Sequence, residues 1–389
     1  MIAHRAELVA LLAGRLPEGA VRTGAPAEVA DPGDPMRPDR PARVRLLPPA
    51  DFAPAEAPPA EAPPAETPSV GFPPAETPSV GFPPAETPSV GFPPAETPSA
   101  GSAPAESASA GSAGTAHTAS AATEPTPTPR HLTADLVVAA DGIHSATRRV
   151  LFSGHPEPRY AGFTSWRLVV PALRRPFAAH ETWGRGGVWG SVPLHDGRVY
   201  AYATAVVPPG GRAPDDERCE LLRRFGDWHH PVPEILAAAD PAAILRHDVR
   251  TQARPLPACR RGRVALLGDA VHPMTPNLGQ GGCQAIEDAI VLAHRVASDR
   301  DGLAAALDAY SRERLPRTTD VVRRSERVGR LSTWRSVPAV LLRGAAVACT
   351  ARFAPDLALR PLDGIADWRP PGGAYASGAP GAPPAHSAR

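Results

Sequence analysis

The sequence predicts an α/β fold in which a nucleotide-type sheet is interrupted by a mostly antiparallel β segment and by a long Pro/Ala-rich insertion. Three observations predict it. Two apolar runs, Leu136 to Ala140 and Val264 to Leu267, each deliver an Asp-Gly or Gly-Asp pair and then a helix, as buried parallel strands do. Between them the pattern changes to period-two alternation, with a hairpin signal at Asp196-Gly197. From about 48 to 130 the chain becomes low-complexity, with PPAETPSVGF at 63–72, 73–82 and 83–92.

Composition sets the bounds. The 389 residues include 51 prolines, most of them in the first third, so about 280 residues are left to fold. Lysine and arginine total 41 against 40 acidic residues, a net +1 that gives no field to attract nucleic acid or an anionic membrane. Cys219, Cys259, Cys283 and Cys349 have no pairing or ligand spacing, which argues against a disulfide framework and against a metal site and fits a reducing cytoplasm. No run of about 18 apolar residues and no basic-then-apolar leader occurs, so neither a membrane span nor secretion is expected.

In chain order, AHRAELVALLAGRLP has the spacing of a short amphipathic helix stopped by Pro17, with Ala6, Val9, Ala10 and Ala13 on one face. VRTGAPAEVA and RPARVRLLP follow as weak strands, Val44, Leu46 and Leu47 being their convincing apolar residues. Residues 1–47 thus form a partial sheet domain. The repeats offer too little apolar surface to offset the entropy of ordering, so 48–130 is expected to be a disordered insertion. Residues 131–155 return to the sheet domain through TADLVVAADGIHSATRRVLF. A β-rich second domain spans 156–258, with GGVWGSVPL, RVYAYATAVVP and the helix DDERCELLRRFGDW. Residues 259–345 close the sheet domain with RVALLGDA and helices over 281–298 and 301–345, and 346–389 is a tail, disordered from about Arg369.

The stretch LLGDAVHPMTPNLGQGGCQAIEDAIVLAHRV carries the clearest chemistry. Its strand brings Gly268 and Asp269 to the carboxyl end of the sheet, where open α/β sheets bind ligands. Gly268 lets a ligand approach the backbone, and Asp269 can accept hydrogen bonds from sugar-like hydroxyls. The turn from Pro276 to Gly282 frees amide groups at the start of the next helix for an anion or an electron-rich ring edge. Ile286, Ala289, Ile290 and Ala293 recur at helical spacing and are expected to dock that helix on the sheet. An ordinary turn with a surface aspartate would account for Gly-Asp alone; the full GDAxHPxxPxxGQGxxxAIEDA string is far more specific.

On these residues the sequence resembles the FAD-dependent aromatic-ring monooxygenases, the family of para-hydroxybenzoate, salicylate and urate hydroxylases and zeaxanthin epoxidase. The resemblance implies a Rossmann-like FAD-binding domain, interrupted by a substrate domain. It places Gly268 and Asp269 on the ribityl chain, and Pro276, Gly279, Gln280, Gly281 and Gly282 against the isoalloxazine ring. The second signature, DLVVAADGIHSATRR, matches the family's Asp-Gly motif at Asp141, Gly142, His144, Ser145 and Arg148, with a role toward FAD and the NAD(P)H pyrophosphate. Physically, Ser145 and Arg148 are candidate phosphate donors. The opening helix is similar to the one whose arginine contacts FAD, here Arg5.

FTSWRLVVP also matches family text, although Leu168 stands where many members have glycine. Trp166 is expected to pack in the core at least as readily as to serve a site. Arg167, Tyr200 and Tyr202 are candidates for the substrate side. His229, His230 and His272 have no partners at ligand spacing and read as structural or solvent-facing.

The family also begins with a GxGxxG turn that sets the FAD pyrophosphate on a helix terminus. No GxGxxG occurs in these residues, and GRGGVWG at 184–190 has the wrong spacing. The resemblance, weak over 1–47 and good over 131–370, therefore implies an incomplete FAD domain whose AMP half is absent. The implied activity is transfer of oxygen from O2 to an aromatic or electron-rich small molecule, with NAD(P)H as reductant and a flavin C4a-hydroperoxide as the oxygen donor. The alternative is a truncated, non-catalytic remnant or a mis-delimited frame with impaired FAD binding.

Overall fold

Helix α1 (Arg5–Ala13) is followed by β1 (Ala27–Asp31), β2 (Ala42–Leu46) and the two-residue strand β3 (Val80–Gly81). Next come β4 (His131–Ala134), β5 (Val137–Ala139), α2 (Ala146–Leu151), the long β6 (Arg159–Val170), β7 (His180–Trp183), β8 (Gly187–Pro193) and β9 (Val199–Ala205). Helices α3 (Glu217–Phe225) and α4 (Val232–Ala238) precede β10 (Leu245–Thr251), β11 (Arg260–Arg261) and β12 (Val264–Leu266). Helices α5 (Gly281–Ser298), α6 (Leu303–Ser332) and α7 (Val337–Phe353) complete the order. This computed structural model describes residues 5–21, 23, 25–47, 80–81, 131–298, 301–354 and 362–372, all within one unit made of 1–81 and 129–389. Apart from Val80–Gly81, the insertion expected to be disordered lies outside the described residues, as does the tail from 373.

The fold is mixed, with helices packed on largely antiparallel sheets. One sheet has the order β1-β2-β4, a second β10-β6-β9-β8-β7-β3, and a third β11-β12-β5. Only β12 and β5 run parallel among these pairs, with Val264 opposite Val137. Two hydrophobic cores follow. The first joins Val264, Ala265 and Leu266 of β12 to Val291 and Leu292 of α5 and Leu307 and Tyr310 of α6. In the second, Trp166, Leu168, Trp189, Ala201 and Ala203 on one face of the six-stranded sheet pack against Leu221 and Phe225 of α3 and Ile235 and Leu236 of α4. Helix α3 starts where the Asp216 carboxylate accepts the Cys219 amide at 2.7 Å, a side-chain cap for an otherwise unpaired donor.

Several expectations need correction. Helix α1 forms, yet Val9, Leu11 and Leu12 are more than half exposed, because nothing among the described residues covers them. Strand β5 is expected to be covered on both faces; among the described residues it is instead at the edge of its sheet, with Val138 47% exposed. The single helix expected over 301–345 is two, since Thr333 caps α6 and Pro338 starts a new helix after Ser336. The core packing expected for Trp166 is met: it is fully buried, with its indole donating to Glu217 at 2.7 Å. Of the two roles expected for them, His272 and His229 take the structural one: His272 is buried, and His229 contacts the Thr182 hydroxyl at 2.7 Å.

Candidate functional site

The Asp141 turn is built from hydrogen bonds that the sequence supplies within eight residues. Strand β5 ends, Gly142 takes φ of 78°, and the Asp141 carboxylate accepts from the Ser145 hydroxyl at 2.6 Å and the Thr147 amide at 2.9 Å. Ser145 in turn accepts the Arg148 amide at 2.8 Å and so caps α2. The Arg148 guanidinium is buried and donates to the carbonyls of Ile143 (2.8 Å), Ala270 (3.2 Å) and Asp269 (3.4 Å) and to Glu157 (3.2 Å). The two expected phosphate donors thus both have protein partners, and Arg148 fastens the Asp141 turn to the Gly268-Asp269 turn. This link joins residues 121 and 122 positions apart, and no local pattern signals it.

Gly268 follows β12 with φ of 60°, and a Cβ there would stand 3.2 Å from the Cβ of Ala285, so α5 passes close above the turn. The Asp269 side chain is exposed beside the start of α5: its Oδ1 lies 3.9 Å from where Gly281 would carry a Cβ. Gly279, at φ of 63°, and Gly282 both have open space where a side chain would project. A carboxylate acceptor, helix-terminal amides and uncovered backbone therefore meet at one place. That donor and acceptor set fits the hydroxyls of a ribityl chain and the electron-rich edge of a flavin. Pro276 and Gln280 lie on the same turn, while the Arg5 side chain is outside the described residues.

Behind this turn lies a polar network that sequence reading missed. Helix α5 docks not through Ile286 and Ala289, which are exposed, but through Gln284, Glu287, Asp288, Val291 and Leu292. Asp288 accepts the Gly268 amide at 2.9 Å, contacts His272 Nε2 at 2.6 Å and accepts Arg314 Nε at 2.7 Å. Arg314, 1% exposed, also donates to Glu287 at 2.6 Å and to Gln284 Oε1 at 2.9 Å, and Arg317 joins Glu287 at 2.7 Å. Burial pushes the Asp288 carboxyl up, but His272, Arg314 and the Gly268 amide outweigh it and hold it below its ordinary value. Glu287 is likewise held low: burial opposes, and the two arginines prevail. The acidic pair inside GQGGCQAIEDA, with arginines three apart on α6, was the available signal.

The six-stranded sheet turns its other face away from α3 and α4. On it, cross-strand register sets Leu245, Arg167, Tyr202, Gly190 and Glu181 in one row across β10, β6, β9, β8 and β7. Tyr200 stands beside Tyr202, ring centroids 5.9 Å apart. Strand β10 ties this face to α6 and to the segment after Asp269, because Thr251, in phase with Leu245 and His247, donates to Glu326 of α6 at 2.9 Å and approaches the Pro273 carbonyl at 3.4 Å. Arg167, Tyr200 and Tyr202 are thus brought together on one half-buried face, separate from Trp166.

A model of the FAD binding domain family matches residues 104–325, more than half of the chain. The chain belongs to that family. Its relatives are flavoprotein monooxygenases. This FAD binding domain protein is 44% identical over 217 residues to the aurachin C monooxygenase/isomerase of Stigmatella aurantiaca, covering 55% of this chain and 56% of the relative. It is 40% identical over 196 residues to the FAD-dependent urate hydroxylase of Klebsiella pneumoniae, covering 48% and 50%. The crystal structure of Klebsiella pneumoniae HpxO complexed with FAD and uric acid superposes with a TM-score of 0.52 at 33% identity, over 56% of this chain and 57% of that one. The chain spans about half the length of the curated relatives it matches. Among the described residues no single helix is long and apolar enough to cross a membrane.

Proposed function

We propose that the chain acts in an FAD-dependent monooxygenase that uses NAD(P)H and O2 to hydroxylate or epoxidise an aromatic or electron-rich small molecule. The observation that carries this reading is the Asp269 carboxylate standing beside the opened start of α5, on the side of the molecule to which the Arg167 and Tyr202 face is tied. When bound, FAD supplies the redox chemistry, in which substrate RH, O2, NAD(P)H and a proton become ROH, water and NAD(P)+. Asp269 would accept ribityl hydroxyls. Gly279, Gln280, Gly281 and Gly282 would lie against the ring and leave room for it. Asp288 and Arg148 hold these two turns in place from behind. Residues 131–155 and 259–345 would form the Rossmann-like flavin part and 156–258 the substrate part. Relatives named for urate hydroxylation and for synthesis of 2-heptyl-3-hydroxy-4(1H)-quinolone support an aromatic substrate.

The test is retention of flavin. After incubation with FAD and desalting, the chain should keep an absorption band near ~450 nm and oxidise NAD(P)H faster with a hydroxylatable aromatic, yielding the oxygenated product. Asp269→Ala should weaken FAD binding by roughly tenfold or more, the loss of hydrogen bonds to a charged acceptor. No flavin retained by the unaltered chain would sink the proposal.

A further inference from the structure

The row across the large sheet contains a group that the cofactor site does not use. Glu181 lies on β7, two strands from Tyr202, yet the Tyr202 hydroxyl reaches its Oε2 at 2.6 Å. Gly190 makes this contact possible. It is the residue between them in the row, and a Cβ there would fall 2.1 Å from Tyr202 Cζ, so the phenol ring lies across the glycine. The second Glu181 oxygen accepts the Trp183 indole at 2.5 Å. An indole N–H can only donate, so it holds that oxygen as an acceptor, and the phenol meets the other.

We propose that Glu181 is a positioning residue that takes the Tyr202 hydrogen, so that Tyr202 offers substrate only an acceptor oxygen and selects ring edges bearing an N–H or O–H donor. The inference rests on this face being the substrate side of the proposed monooxygenase. The phenol stays protonated, since burial first and then the Glu181 charge and hydrogen bond push its pKa far above the ordinary value. The other end of the row has the opposite character. Arg167 makes no hydrogen bond or ion pair among the described residues, and beside it His247 is kept low by burial and by the Arg167 charge. The face therefore suits an aromatic molecule with an anionic or oxo group toward Arg167 and a donor toward Tyr202.

Indole-2-carboxylate and benzofuran-2-carboxylate test this, because they are near-isosteres that differ in presenting a ring N–H or a ring oxygen. Isothermal titration of the FAD-loaded full chain should show the indole acid binding roughly tenfold tighter, the worth of one hydrogen bond made against one left unmade. In Glu181→Gln the indole of Trp183 keeps the amide oxygen, the amide N–H2 turns to Tyr202, and the phenolic hydrogen is released outward. The preference should collapse or invert while the circular dichroism spectrum stays unchanged. Gly190→Ala, which displaces the ring with Glu181 intact, should also abolish it. Equal binding of the two acids to the unaltered chain, binding of neither, or full preference retained in Glu181→Gln overturns the proposal. Flavin retention, read separately at the visible band, distinguishes this failure from failure of the monooxygenase reading: preference without flavin sinks only the latter, flavin without preference only the former.

Discussion

Arg314→Met should lower the unfolding free energy by about 3–5 kcal/mol, read as a shift in the urea midpoint at unchanged slope, because it takes the arginine from buried Asp288 and leaves Glu287 with Arg317 alone. Arg314 and Asp288 are each 1% exposed, and Glu287 is 7% exposed, so water cannot replace the lost donors. By contrast Arg223→Ala, which removes the exposed pairs with Asp215 and Glu220, should move the midpoint little. The network also predicts the acid limb of stability. Asp288 and Glu287 titrate lower in the folded chain than at their ordinary values of 3.8 and 4.5. Their contribution is therefore complete above those values and is lost as pH falls through the lower folded ones. Asp288→Asn should flatten that limb. It should also loosen the Gly268-Asp269 turn, since Asp288 fixes the Gly268 amide. An Arg314→Met midpoint within error of the parent would show that the buried cluster contributes nothing.

What the sequence made legible was local. The Asp141 turn and the hairpin between β8 and β9 rest on contacts within a few residues, and β12 and the start of α5 show as an apolar run and a glycine-rich turn, so composition and spacing reveal them. What escaped depends on partners far along the chain. The apolar spacing of Ile286, Ala289 and Ala293 pointed to the wrong face of α5, because Glu287 and Asp288 can be buried only where Arg314 meets them, 27 and 26 residues on. Glu181 sits in the short, polar-looking strand HETW, and only the register that aligns it with Gly190 and Tyr202 gives it a partner. Val138 reads as a doubly buried strand residue, since a parallel strand with a continuous apolar run is usually covered on both faces; here it is an edge residue among those described. The sequence offers Arg148 as a candidate phosphate donor, and its contacts with the distant Asp269 and Ala270 carbonyls are not readable there.

Arg148→Ala decides between these roles. If the guanidinium served a phosphate, the flavin-free chain would lose almost nothing, within about 0.5 kcal/mol as at an ordinary surface position, and only cofactor affinity would fall. The geometry predicts the reverse order. Three backbone carbonyls, of Ile143, Asp269 and Ala270, accept from a side chain that is 4% exposed, and truncation leaves them without that donor and opens a gap between the two turns. The flavin-free protein should therefore lose about 2–4 kcal/mol in urea unfolding. Weaker FAD binding should follow as a consequence, because Asp269 is placed by the same carbonyls that Arg148 holds. Arg148→Lys separates charge from shape. A lysine keeps the charge but cannot fork between Ile143 on one side and Ala270 on the other, so it should restore only a minor part of the stability. Full recovery by lysine would mean that the charge alone matters, and would return Arg148 to the role of an anion donor.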